Sequence, residues 1–342
     1  AYTPGEQPRD MKYIKLNTNE SPFPPSAAVI DAVSAEEVEK LRLYPDPECK
    51  ELKEAIASLY GVQRENVFLS NGSDDILNFS FMAFCDDGAA YADITYGFYP
   101  VFAELYGVTS KIIPLKDDLS LDVDEFCRTD STCVIANPNA PTGLAISLAD
   151  VERIVSANEN RVVVVDEAYV DFGGESAVAL TKKYKNLLVC QTYSKSRGMA
   201  GARLGFAIGD AALIADLELI KYSTNPYNLD RLTLAAGVAA LTDDSRRYYA
   251  EKQAELMATR DSATAALTAL GAEVIPSLAN FIFVKIPSVS GAELNTELRR
   301  RGILVRHFKT ERIKDYNRIS IGTPEEMSTL VCEIEKIIGE RK

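Results

Sequence analysis

Val162-Val163-Val164-Val165-Asp166-Glu167-Ala168-Tyr169 is the stretch that decides the fold. Its four valines show no apolar/polar alternation, so both faces of the strand they form must be covered, as in a parallel sheet clothed by helices. Cys133-Val134-Ile135-Ala136 before it and Asn186 to Thr192 after it are runs of the same kind. The segments between them are long enough for helices, so the middle of the chain is a succession of crossover units. The acidic pair after a valine run could instead hold magnesium in a nucleotide hydrolase. That reading needs G-x-x-x-x-G-K-[ST], which the sequence lacks, and no G-x-G-x-x-G follows the first strand to support a dinucleotide site.

Four polar signals follow these strand-like runs: Gly72-Ser73-Asp74, Asn137 to Gly143 (NPNAPTG), Asp166 to Tyr169, and Ser194-Lys195. Open α/β sheets bind ligands at the carboxyl ends of their strands, so four such loops converge on one crevice. Asn139 to Asp166 and Asp166 to Lys195 are each separated by roughly the ~30 residues of one crossover unit.

Working outward, Pro4, Pro8, Pro22, Pro24 and Pro25, with a further break before Pro45, disfavour regular helix and predict an extended N-terminal arm. From Pro47 the pattern turns helical, with Leu52, Ile56 and Leu59 on one face and Gly61 as the stop, and Val67-Phe68-Leu69 reads as a buried strand. Asn71 to Asp74 then forms a turn and starts a helix. The longest helical pattern runs from about Ser245 to Leu270 and ends at Gly271, after which Phe281 to Val284 and Ile303 to Val305 read as strands of a smaller unit. The expected architecture is an α/β fold with a mixed, mostly parallel sheet between helices, plus a smaller α+β domain. Its parts are a large domain over residues 31–245, with an arm (1–30) and a small domain (246–342) alongside.

The chain has 342 residues and a formal net charge of -13, so nucleic acid and anionic lipid are repelled by the average surface field and any anion site must be local. Six cysteines form no C-x-x-C pair, and His307 is the single histidine, so no zinc-ligand cluster can be assembled. Reduced, mostly buried thiols fit a cytoplasmic protein. No apolar run approaches the ~20 residues of a membrane span, and AYTPGEQPRD lacks the regions of a signal peptide.

A lysine amine acts as a nucleophile only when deprotonated, which calls for a desolvated or cationic setting. An average lysine is a surface charge, but Lys195 stands in Ser194-Lys195-Ser196-Arg197-Gly198-Met199-Ala200-Gly201-Ala202-Arg203-Leu204-Gly205. Hydroxyls, three glycines and two arginines together suit close backbone approach to a phosphate gripped by a forked guanidinium.

NPNAPTG, VVVVDEAY, YSKSRGMAGARLG and RISIGT, in that order, resemble the fold-type I pyridoxal-phosphate aminotransferases, and within them the histidinol-phosphate aminotransferase group. The resemblance runs from Tyr2-Thr3-Pro4-Gly5-Glu6 and Leu16-Asn17-Thr18-Asn19-Glu20, through Tyr44-Pro45-Asp46-Pro47, to Arg318. It implies that Lys195 forms a Schiff base with pyridoxal phosphate and moves the substrate proton, and that Asp166 pairs with the ring nitrogen. Asn139 and Tyr169 would bond the ring's phenolic oxygen, and Tyr96 would stack on the ring. Gly72, Ser73 and Asp74 at a helix start, with Ser194 and Arg203, would hold the cofactor phosphate. Tyr44 would reach that phosphate from a second subunit, which implies a homodimer. Arg318 and Arg306, with Tyr2 and Asn19 of the arm, would bind a substrate carboxylate or phosphate.

Each role has a plain rival. Asp166 and Glu167 can be a solvated strand end, Asn139 a turn former, Tyr96 and Tyr169 core aromatics, the two arginines surface charges, and Tyr2 a frayed end. His307 reads as structural. The segment before Tyr96 is Asp93-Ile94-Thr95, without the proline frequent in the family, and Asp75 stands where glutamate is common. The implied function is transfer of an amino group from histidinol phosphate to 2-oxoglutarate, in histidine biosynthesis. An aromatic aminotransferase and a decarboxylase of threonine phosphate are the alternatives.

Overall fold

The computed structural model describes residues 1–341. The arm is irregular up to a short strand, β1 (Ile14–Lys15). The large sheet has seven strands: β2 (Val67–Ser70), β3 (Ala89–Ala92), β4 (Ser110–Ile113), β5 (Thr132–Ala136), β6 (Val163–Asp166), β7 (Leu187–Thr192) and β8 (Gly205–Gly209). Their order is β2-β8-β7-β6-β5-β3-β4. β5, β6 and β7 are parallel, with Cys133 beside Val163 and Val163 beside Leu187. β8 alone runs against its neighbours β7 and β2, which makes the sheet mixed and mostly parallel, as expected. Val163, Val164 and Val165 are fully buried, each stabilising the fold by about 1.5–3 kcal/mol relative to exposure.

Gly61, at φ 62, ends the helix Lys50–Tyr60 in the left-handed conformation that favours glycine. The helix Gly72–Phe84 starts directly after β2. Beyond the large sheet, β9 (Glu273–Ile275), β10 (Phe281–Lys285), β12 (Arg306–His307) and β13 (Tyr316–Ser320) form an antiparallel sheet in the order β12-β13-β10-β9. β11 (Ile303–Leu304) pairs in parallel with β1, which ties the arm to this second unit.

Three large cores result, one of them packing Phe68, Phe81, Tyr99 and Val164 on the second face of the large sheet, and the other two meeting along one helix. Of these two, the first holds Val29 and the inward valines of β6, together with Tyr249; the second holds Leu16, Tyr169, Leu256, Phe281 and Ile319. The 27-residue helix Asp243–Ala269 contributes Tyr249 to the first and Leu256, Ala263 and Leu267 to the second. Among the described residues no helix is long and apolar enough to cross a membrane.

Candidate active site

The carboxyl ends of β5, β6 and β7 and the start of the helix Gly72–Phe84 surround a cavity of about 600 Å³. It is lined by Ser73, Asp74, Tyr96, Asp166, Tyr169, Ser194, Lys195 and Arg203 from the large unit, and by Tyr2, Asn19, Arg306 and Arg318 from the arm and the small sheet. Twelve of the residues singled out from the sequence thus share one chamber.

Lys195 follows β7 and projects between the two units. Its Nζ donates to the Thr18 carbonyl at 3.3 Å and lies 5.8 Å from the centre of the Tyr169 ring. Burial, assisted by the Arg318 charge, pulls the amine down to about 8. Asp166 closes β6. Its Oδ1 accepts the Ala168 N–H at 3.2 Å and its Oδ2 the Tyr99 hydroxyl at 2.9 Å, while burial pushes the carboxyl up to about 6. Tyr169 accepts at its hydroxyl from Asn19 Nδ2 at 2.9 Å. Asn19 is itself fastened, its Oδ1 accepting from Ser320 and its carbonyl from Asn280.

At the other wall, the helix Gly72–Phe84 opens with no side-chain cap from Asn71, so its first N–H groups are free for a ligand. Asp74 accepts from Tyr96 at 2.6 Å and from Arg203 at 3.3 Å. The backbone is bare where the elements cross: a Cβ on Gly205 would lie 2.5 Å from Gly72 C and Ser73 N. Gly205→Ala is therefore expected to cost about 1–3 kcal/mol of stability by overpacking, and to push the helix start out of place. A thermal melt checks the first effect and cofactor affinity the second.

An uncapped helix start, two serines and an exposed Arg203 fork fit a phosphate; a buried carboxylate 2.9 Å from a tyrosine hydroxyl fits a ring cation; and a desolvated amine fits an aldehyde. The donor set therefore accommodates pyridoxal phosphate.

Four of the expected site residues make other contacts within this chain. Asn139 does not line the cavity: its Nδ2 is given to the Ile94 carbonyl and the Thr142 hydroxyl, and its Oδ1 accepts from Thr95. Its amide braces the NPNAPTG loop, because burial there demands that every polar group be paired. Arg306 donates to the Thr3 and Pro4 carbonyls and so holds the arm down, at 3.0 and 3.2 Å. Tyr44 is on the outside, stacked on Tyr227 with ring centres 4.5 Å apart. Gly72 lies behind the wall, packed against Arg203.

Arg318 stands between Phe281 and Phe308, donates to the Asn17 carbonyl at 3.1 Å, and leaves its buried Nε without a partner among the described residues. Tyr2 is not frayed; it stacks on Phe98 at 4.2 Å. Glu167 is buried, bonded to Ser176, the Ala177 N–H and Gln191, and so supports the strand end rather than facing solvent. His307 bonds the Lys314 carbonyl, a structural contact. The sequence reading missed Tyr99, Thr18 and Glu20. The second tyrosine of Tyr96-Gly97-Phe98-Tyr99 is the available signal for the first.

The family model described as aminotransferase class I and II matches residues 11–334. A histidinol-phosphate aminotransferase of Clostridium acetobutylicum is 50% identical over 340 residues, spanning 99% of this chain and 96% of that protein. Among solved structures, the histidinol-phosphate aminotransferase of Sinorhizobium meliloti in complex with pyridoxal 5'-phosphate superposes with a TM-score of 0.84 at 24% identity, covering 96% of this chain and 91% of that one. A decarboxylase from Sulfurospirillum multivorans superposes equally well, with a TM-score of 0.85 at 24% identity over 97% of this chain and 89% of that one.

Proposed function

Because the chain belongs to the class I and II aminotransferases, we propose that it takes its amino group from histidinol phosphate and delivers it to a 2-oxo acid, 2-oxoglutarate in the first place. The enzyme is a pyridoxal-phosphate-dependent transaminase. The observation that carries the substrate reading is the pairing of a desolvated Lys195 with Arg306 and Arg318 in one chamber, in a chain 50% identical over nearly its whole length to a histidinol-phosphate aminotransferase. The fold by itself does not choose, since a decarboxylase shares it.

Ser73 and Asp74 through their N–H groups, with Ser194 and Arg203, would hold the cofactor phosphate; Asp166 would face the ring nitrogen, Tyr169 the phenolic oxygen and Tyr96 the ring. Bound there, pyridoxal phosphate supplies the aldehyde that takes up the amino group and a ring that accepts the electron pair left at the α-carbon. Lys195 would serve as the base that removes the proton from the α-carbon and returns it elsewhere, a task suited to an amine pulled toward neutral. Asp166 contributes fixed negative charge, and its burial strengthens that contribution. Arg318, with a free Nε, and Arg306 would receive the anionic ends of the donor and the acceptor. Asn19 fixes the Tyr169 hydroxyl, and the arm is pinned at the cavity through Tyr2 and Arg306.

Tyr44, exposed on this chain, would enter the phosphate site of a second copy, making the enzyme a homodimer. We place it in the cytoplasm. Initial rates with histidinol phosphate, phenylalanine and threonine phosphate as donors to 2-oxoglutarate test the reading. Histidinol phosphate is expected to exceed the others by about 10²-fold or more in kcat/KM, the discrimination that a site built around specific polar contacts provides. Carbon dioxide released from threonine phosphate with no 2-oxo acid consumed would replace it by the decarboxylase reading.

A further inference from the structure

Tyr99 does not line the cavity, and its ring is wholly buried among Phe81, Tyr91 and Phe102. Packing alone would be served by phenylalanine there. Among the described residues the hydroxyl has one hydrogen-bond partner, Asp166 Oδ2 at 2.9 Å. A hydroxyl is costly to bury unless it is bonded, so the polar atom at this depth exists for the carboxylate. The same short segment treats a second acid of the cavity alike, since Tyr96 donates to Asp74 Oδ1 at 2.6 Å. The rings of Tyr96 and Tyr99 meet edge to face, 5.8 Å apart, which locks the two hydroxyls in their directions.

We propose that Tyr99 is a positioning residue that holds the Asp166 carboxylate ionised and in place for the ring nitrogen of the cofactor. The inference rests on the cofactor reading above. Several groups face this carboxylate: Asp74 from the helix Gly72–Phe84, Cys190 from β7, Tyr169 from the turn after β6, and Lys195 from the loop after β7. Asp74 and burial favour the neutral acid; Lys195, the Ala168 N–H and Tyr99 favour the anion, with Tyr99 the leading stabiliser. Without the Tyr99 hydroxyl the balance moves toward a neutral carboxyl, which cannot hold a proton on the ring nitrogen.

The test compares holoenzyme of the parent, Tyr99→Phe, Asp166→Asn and the double variant. The readouts are the dissociation constant of pyridoxal phosphate, the pH midpoint of the bound cofactor's visible absorbance, and kcat with KM. Tyr99→Phe keeps the ring and is expected to weaken cofactor binding about tenfold, as loss of a hydrogen bond to a charged group does. It should also raise the absorbance midpoint, because a ring nitrogen short of its proton withdraws fewer electrons, and lower kcat more than it changes KM. In the Asp166→Asn background the same substitution should add nothing. The proposal is overturned if the effect of Tyr99→Phe persists undiminished in that background, or if melting temperature falls while midpoint and affinity stay put. A parent protein that takes up no pyridoxal phosphate overturns the cavity reading itself, and this inference with it.

Discussion

Lys195→Ala is expected to lower transamination by about 10⁴-fold or more, because in the role proposed for Lys195 it would remove at once the amine that engages the cofactor and the base that moves the α-proton. The amine is prepared for both tasks. Desolvation and the Arg318 charge bring it to about 8 from the ordinary 10.5, so at pH 7 the free-base fraction is about three hundred times that of an exposed lysine. The sign follows directly: a lowered amine pKa means more nucleophile at neutral pH, so apoenzyme should combine with pyridoxal phosphate faster as pH rises toward about 8 and level off beyond it. Stopped-flow absorbance of apoenzyme with pyridoxal phosphate checks the profile. A visible band in Lys195→Ala like that of the parent would refute the assignment. Thermal stability should hold or rise, since the substitution takes a charge out of a buried setting where the amine has one hydrogen bond, to the Thr18 carbonyl.

Asp166→Asn has the second largest expected effect, a drop in kcat of about 10²- to 10³-fold, the range for deleting one preorganised electrostatic partner. Asparagine preserves the size of the side chain and removes its charge. With burial holding the carboxyl at about 6, the unliganded enzyme already carries roughly a tenth of this group protonated at pH 7. A ring cation opposite the carboxylate draws that equilibrium toward the ionised form, and the asparagine variant has no such response. Single-turnover rates of α-proton removal are the measurement, and a rate within threefold of the parent would disprove the role.

The strand ends were legible because the signals there are local. β-branched runs fix β5, β6 and β7, and the polar residues that follow each run fall by the geometry of a parallel sheet on one edge. Gly61 and Gly72 announce their turns through positive φ. Asn139 was read as a cavity residue since its loop is at the right strand end. What the loop sequence does not reveal is that the Ile94 carbonyl and the Thr142 hydroxyl both compete for its amide. Arg306 was read as a substrate clamp because a guanidinium at that edge suits an anion. What no local pattern encodes is that the same guanidinium, while lining the cavity, also donates to the Thr3 and Pro4 carbonyls, which arrive from about 300 positions away. The resemblance singles out Tyr96 for the ring face and is silent on Tyr99, and nothing local in the sequence tells which phenol turns inward to an acid.

The helix Asp243–Ala269 gives the molecule a mechanical property. One rigid rod, 27 residues and by helical rise about 40 Å long, is anchored near its beginning by Tyr249 in one core and further along by Leu256, Ala263 and Leu267 in another. Displacing one half relative to the other therefore loads the rod in bending or peels one set of its side chains from their sockets. Arg306 and Arg318 line the chamber from one half and Lys195 from the other, so the rod resists any change in the gap between them.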